Sequence, residues 1–427
     1  MKTTIALGCA LLSFLSGASA FADSSTKTKF VSINAHTREE RTRLLELGIN
    51  IEEVYSDRVW SLVSDQDVKR AIDGGFKVLT EAPSEVFFRG REIQFGKNLG
   101  KGPQFPSGDE KFHDFSEVKI VLAQLQKKNP RISRLETIGK SWEGRDLIAL
   151  HINASMTDLE NGHSSKPGVA FMGAHHAREH LTVEVPLMLA EYLLDHQNEV
   201  AIAQLIATRD IWIIPMVNPD GAEFDIDGGS YHMWRKNRRN NGDANWGVDL
   251  NRNFGYQWGT GGSSTSTGSD TYMGPEAFSE PESKAVRDFI SDHLNIKMLL
   301  SYHSYSELIL YPWGHSYSPI SNQRDQQVFS TMAQTMSRWN GYKPQQSSAL
   351  YIASGDTTDW AYGAYGVFAF TFELTPKNMF GGGFYPGAKV IDSTFKANLN
   401  PALYMIDLAD NPYRAIDQGP GASIWYK

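Results

Sequence analysis

At 427 residues the chain exceeds one average domain, so two folded units are expected. Hydrophobic residues at 41% and aromatics at 11% supply ample core, which excludes a disordered chain. The net charge of -8 leaves no basic footprint, which argues against nucleic acid as a partner.

The first twenty residues read as a separate element. Lys2 gives a positive start, Ile5 to Leu15 is apolar, and Ala18-Ser19-Ala20 ends the run with small residues. This is the pattern of a secretory signal cleaved after Ala20, and the run is too short to span a bilayer. A secreted protein, extracellular or periplasmic, is therefore expected, with no membrane association once the signal is gone. The single cysteine, Cys9, lies inside this segment, so the mature chain has no disulfide.

Residues 29 to 81 read as a β-α-β-β-α-β unit, the order of a ferredoxin-like sandwich. Lys29 to Ala35 is strand-like, and Thr37 with Glu40 forms a capping box for a helix stopped at Gly48. Strands are expected at Ile51 to Tyr55 and Arg58 to Val63. Ser64 caps a second helix that ends at Gly74-Gly75, and Phe76 to Leu79 closes the unit. From Arg89 to Asp109 the pattern dissolves into Gly, Pro, Lys and Arg, where Arg89, Arg91, Lys97 and Lys101 are open to a trypsin-like protease.

The remainder alternates strands (Val169 to Met172, Ile211 to Val217, Met298 to Tyr302, Val367 to Phe372) with helices (Leu181 to His196, Glu282 to His293). That alternation predicts an α/β fold, a central sheet covered by helices on both faces, with ligands at the strand C-terminal ends. Gly259 to Gly268 lacks the Lys and following helix of a phosphate loop and reads as a surface excursion.

Chemistry concentrates in Gly173-Ala174-His175-His176-Ala177-Arg178-Glu179-His180. His176 and Glu179, three apart, can face one point, as a catalytic zinc with three protein ligands requires. A rival reading takes His176, Glu179 and His180 as an H-x-x-E-H motif, which needs a helix throughout. The apolar strand and Gly173 just before it argue against that helix. Glu373 ends the strand Val367-Phe-Ala-Phe-Thr-Phe-Glu-Leu, on the face opposite Phe368, Phe370 and Phe372. A carboxylate in so apolar a strand needs a partner or a job.

The blocks 173–179, Asn-Pro-Asp-Gly (218–221), Trp-Arg-Lys-Asn-Arg (234–238), Gly-Val-Asp-Leu-Asn-Arg-Asn (247–253), Ser-Tyr-His-Ser-Tyr (301–305), Ala-Ser-Gly-Asp-Thr-Thr-Asp-Trp (353–360) and Phe-Thr-Phe-Glu-Leu (370–374) together resemble the zinc metallocarboxypeptidases, the carboxypeptidase A and B family. The resemblance implies a metallocarboxypeptidase fold with a mixed central sheet. It divides the chain into signal (1–20), propeptide (21–88), activation segment (89–109) and catalytic domain (110–427). It makes His176, Glu179 and His303 the ligands of one Zn2+ and Glu373 the general base. Arg238 then stabilises the developing oxyanion, with Arg235 at most a helper. Asn251, Arg252 and Tyr351 clamp the substrate's terminal carboxylate, and Arg178 flanks the preceding subsite. Thr358 and Asp356 line the side-chain pocket in a manner resembling bacterial carboxypeptidase T, which implies that apolar and basic C-terminal residues are both accepted. The implied partners are peptides or proteins with a free C-terminus and an activating trypsin-like protease, acting on a monomer. Calcium is possible from Asp225 and Asp227, but no ligand set is fixed. Against an amidase acting on cell-wall peptides stands the carboxylate clamp. Against an inactive peptide-binding protein stand the intact ligands and base.

Overall fold

The computed structural model describes residues 28–83, 102–154, 156, 164–418 and 423; the expected signal (1–20) and most of the expected activation segment lie outside these. Two sheets organise the described residues.

The N-terminal unit comprises β1 (Lys29–Asn34), α1 (Arg38–Glu46), β2 (Glu53–Val54), β3 (Arg58–Val63), α2 (Asp65–Asp73) and β4 (Val78–Pro83). Its strands pair antiparallel in the order β2-β3-β1-β4, the ferredoxin-like arrangement. Both helices start on reciprocal capping boxes, Thr37 with Glu40 and Ser64 with Asp67, which satisfy N–H groups that a helix start leaves unpaired. Ile33, Leu44, Leu45 and Val59 fill its core. Two expectations shift: β2 covers only two residues, and β4 begins at Val78 because Gly74 and Gly75 prolong the preceding turn.

The large unit runs α3 (Phe115–Lys128), β5 (Ser133–Lys140), β6 (Asp146–Ile152), β7 (Gly168–Met172), α4 (Leu181–Asp195), α5 (Val200–Thr208), β8 (Asp210–Ile214) and α6 (Pro219–Asp225). It continues with α7 (Pro281–Asp292), β9 (Ile296–Ser304), β10 (Leu308–Tyr311), α8 (Gln323–Asn340), β11 (Lys343–Gln346), α9 (Thr357–Tyr365), β12 (Phe368–Leu374) and α10 (Ile391–Leu408). Its eight strands order as β11-β10-β12-β9-β7-β8-β6-β5. The central strands β12, β9, β7 and β8 are parallel, while β5, β6 and β10 join antiparallel, so the sheet is mixed. Buried on both faces, β7 and residues 211–214 of β8 are continuously apolar, as parallel strands between helix layers tend to be. One face packs on α3, α4, α5, α8 and α10, the other on α7 and α9. No helix among the described residues is long and apolar enough to cross a membrane.

The expected linker is corrected at its C-terminal end. Residues 102–109 belong to the large unit: Pro103 bridges Asp227, Phe105 is buried against Phe112 and His180, and Asp109 accepts from Tyr231 and from Ala388 N. A Gly/Pro-rich composition hides these anchors because each acts singly, without periodicity.

Candidate active site

The parallel strands place the site at their C-terminal ends. In the β9–β12 register His303 lies directly beside Glu373, and Met172, the last residue of β7, pairs with Ser301. Gly173 follows β7 because the turn leaves no room: a Cβ there would lie 2.1 Å from Thr182 O. The chain then turns through 175–180 before α4 starts at Leu181, so 176–180 is not helical. His180 points away and pairs with Asp225 at 2.9 Å. The H-x-x-E-H reading is thereby ruled out.

His176 Nδ1 lies 2.7 Å from Glu179 Oε1 and 3.1 Å from His303 Nδ1, which is 3.1 Å from Glu179 Oε2. All three side chains are buried and their ligand atoms converge on one point. Ligands about 2.0–2.1 Å from zinc in a tetrahedron stand about 3.3 Å apart, and the observed spacings fit such an ion. Asp249 Oδ1 accepts at 3.1 Å from His176 Nε2, which leaves Nδ1 as the free electron pair. Ser304 N donates to Glu179 Oε2. Two imidazoles and one carboxylate in this array form the donor set of a catalytic zinc site, and the residues fit the metal.

Glu373 lines the same cavity, of about 560 Å³. Burial and the negative charge of Glu179 push its carboxyl well above the usual range, opposed by Arg235 and Arg252. A cation held by Glu179 acts in the opposite direction.

The two arginines of Trp-Arg-Lys-Asn-Arg separate. Arg235 lines the cavity, and Asp249 Oδ2 holds its Nε at 3.0 Å and Nη2 at 2.9 Å. Arg238 does not line it: its guanidinium stacks 3.6 Å over Phe224 and near Trp234 and Trp246. Arg238, expected to face the reacting carbonyl, is thus placed away from the cavity that Arg235 lines. Neither Arg235 nor Asp249 stands out in sequence by spacing, although a carboxylate flanked by Val248 and Leu250 is a signal of burial with purpose.

Asn251, Arg252 and Tyr351 all line the cavity. Arg252 gives Nε to Gly262 O and Nη1 to Asn251 O, which fixes the fork and leaves Nη2. The Gly259 to Gly268 loop is thus no mere surface excursion. Gly262, at φ +65°, sits so close that a Cβ would lie 1.6 Å from Ile352 O. Asp356 Oδ1 caps α9 and accepts from Thr358 Oγ1, while its buried Oδ2 has no hydrogen-bond partner among the described residues. Burial and repulsion by Asp359 raise Asp356 to about 7.

The N-terminal unit forms part of the cavity wall. Ile51 to Ser56 and Arg41 line it, and Glu52 Oε2 lies 2.8 Å from Arg178 Nη2, both side chains buried. Glu53 accepts from Met379 N, and Arg41 Nε donates to Leu350 O. Asp225 is occupied by His180, Trp234 N and Tyr385, so the acidic pair weighed for calcium is engaged within the protein on one side.

Comparison with known proteins follows the same lines. Residues 118–401 match the family model described as zinc carboxypeptidase. A zinc carboxypeptidase of Saccharothrix mutabilis subsp. capreolus is 36% identical over 377 residues, covering 86% of this chain and 85% of that one. Carboxypeptidase A2 of Rattus norvegicus is 31% identical over 328 residues, 75% of this chain and 76% of its own. The crystal structure of carboxypeptidase A from Helicoverpa armigera superposes with a TM-score of 0.71 at 26% identity, covering 92% of this chain and 98% of that one. The chain, with its mixed sheet and His-Glu-His centre, belongs to the zinc carboxypeptidase family of peptide hydrolases.

Proposed function

We propose that the protein is a secreted zymogen of a zinc exopeptidase that removes single residues from free C-termini, accepting apolar and basic ones. The observation that carries this reading is that one cavity holds Asn251, Arg252 and Tyr351 together with Glu373 and the three ligand residues. A substrate anchored by its α-carboxylate between these donors presents its last peptide bond to Glu373.

His176, Glu179 and His303 hold the metal, which supplies Lewis acidity toward the scissile carbonyl and the attacking water. Glu373 takes the water's proton and delivers it to the leaving amine. Arg235, aligned by Asp249, donates to the oxygen on which charge develops. The remaining Arg252 Nη2 and the Asn251 amide bind the carboxylate, the geometry in which arginine is strongest. Asp356 Oδ2 offers an acceptor to a basic side chain, with Thr358 on the same wall.

The buried Glu52–Arg178 pair supports latency, because it occupies the arginine flanking the preceding subsite. Secretion rests on the signal-like residues 1–20. The test uses full-length protein, with and without trypsin, on two peptides differing only in a free or amidated C-terminus. Chelator-sensitive release of the last residue from the free peptide alone, after trypsin, is expected. Cleavage of both peptides, or full activity of the intact chain, would sink the exopeptidase or the zymogen reading respectively.

A further inference from the structure

His175 is fully buried, stacks parallel on His303 at 5.4 Å, and takes no part in the ligand triad. Both of its ring nitrogens face hydroxyl groups: Nδ1 is 3.2 Å from Ser301 Oγ and Nε2 is 3.3 Å from Thr357 Oγ1. Thr357 in turn touches Asn251 twice, through its backbone N at 2.9 Å and its Oγ1 at 3.0 Å, both to Oδ1.

Every hydrogen in this chain can be assigned from one fixed point. A backbone N–H only donates, so the Asn251 atom facing Thr357 N is the oxygen. Thr357 Oγ1, facing the same oxygen, must donate to it as well. Its lone pair then accepts from His175, so Nε2 carries the hydrogen and Nδ1 is an acceptor, satisfied by the Ser301 hydroxyl. The order is Ser301 O–H to His175 Nδ1, Nε2–H to Thr357 Oγ1, and Oγ1–H to Asn251 Oδ1. Asn251 Nδ2 is left on the cavity side, where it makes no hydrogen bond to the described residues.

We propose that His175 is a positioning residue which, through the Thr357 hydroxyl, locks the Asn251 amide with its NH2 toward the substrate, so that this wall of the clamp can only donate. A donor-only wall matches a carboxylate, which only accepts, and leaves the NH2 of a C-terminal amide facing another donor. Discrimination between free and amidated C-termini is therefore set from behind the site. The inference rests on the exopeptidase reading above, since it assigns the carboxylate to Asn251.

The test measures calorimetric binding of an N-acetyl amino acid and of its amide to zinc-loaded full-length protein folded and then nicked with trypsin, alongside KM, kcat and zinc content. The unaltered protein is expected to prefer the carboxylate. Thr357→Val should weaken carboxylate binding and raise KM about tenfold, roughly the worth of one hydrogen bond to a charged group, with kcat within about twofold. Its zinc content and its amide binding should not change. Thr357→Ser keeps the hydroxyl and His175→Gln keeps a donor near Nε2; both should stay within about threefold of the unaltered protein. If Thr357→Val does not fold, His175→Phe, which keeps a ring against His303 and removes both nitrogens, carries the same expectation. Unchanged binding in Thr357→Val, a Ser variant as weak as the Val one, or parallel loss of carboxylate and amide would overturn the relay alone. No preference for the carboxylate in the unaltered protein would overturn the exopeptidase reading and the relay with it.

Discussion

Arg235 and Arg238 stand on one loop, and their surroundings separate their roles. Arg235 is aligned by Asp249 inside the cavity, whereas Arg238 is stacked among Phe224, Trp234 and Trp246. Arg235→Ala is expected to lower kcat by about a hundred- to a thousand-fold, as loss of one oxyanion donor does. Arg238→Ala should leave turnover near that of the unaltered protein and lower thermal stability. Steady-state kinetics on both variants decide it, and the reverse pattern would restore Arg238 to the site. Asp356 gives a pH-dependent expectation. With its carboxyl raised to about 7, it is largely neutral below that pH and charged above it. The ratio of kcat/KM for C-terminal Arg over Leu should therefore rise as pH passes through 7, while the substrate arginine stays cationic. A ratio flat from pH 6 to 8 would mean that Asp356 does not contact the side chain.

At the scale of elements, the parallel strands do two things at their two ends. Their C-terminal ends carry His303 and Glu373 side by side, and the turn after β7 delivers His176 and Glu179. Toward the other end, His151 of β6 and Asp210 of β8 form a buried pair at 2.5 Å, with Glu136, Asn153 and Asn295 around it. Burial alone would lower His151, but Asp210 and Glu136 outweigh it and raise it above 6.5. Burial would raise Asp210, yet His151 brings it down to about 2. A raised histidine stabilises fully below its unfolded value and loses that contribution as pH rises through the folded one. A lowered aspartate stabilises above its unfolded value of 3.8 and loses it as pH falls toward 2. The pair is thus worth most between pH 3.8 and 6.5. Melting temperatures from pH 6 to 9 should fall less steeply for His151→Gln than for the unaltered protein, and equal slopes would refute the assignment.

Across the whole molecule, the N-terminal unit contributes Arg41 and Ile51 to Ser56 to the cavity wall, and Glu52 is its deepest charge. The intact chain should hydrolyse free-carboxylate peptides far more slowly than the trypsin-treated one. Glu52→Gln should raise that residual rate by about tenfold, because a hydrogen bond between charged groups contributes about 1.5–3 kcal/mol. No rise in the intact variant would mean that shape, and not this ion pair, closes the cleft. Chelation should abolish activity and lower the melting temperature, since a ligand bound only by the folded state stabilises it. Loss of activity with no thermal shift would place the metal outside the His176–Glu179–His303 centre.

Local sequence alone determined most elements and pointed to His176 and Glu179. The capping box at Thr37 and the cap at Ser64 announced α1 and α2, and apolar runs announced β7, β9 and β12, because caps and burial act within a few residues. His176 and Glu179 were legible from their spacing after a strand and Glu373 from its apolar strand, whereas His303 as a ligand and Glu373 as the base came from the resemblance. Only the tertiary structure decided which arginine turns inward, that Gly262 braces Arg252, that residues 102–109 anchor to the large unit, and that His175 reaches Asn251 through Thr357. Each of these depends on partners far apart in the chain, and a loop has no periodicity to say which way its side chains point.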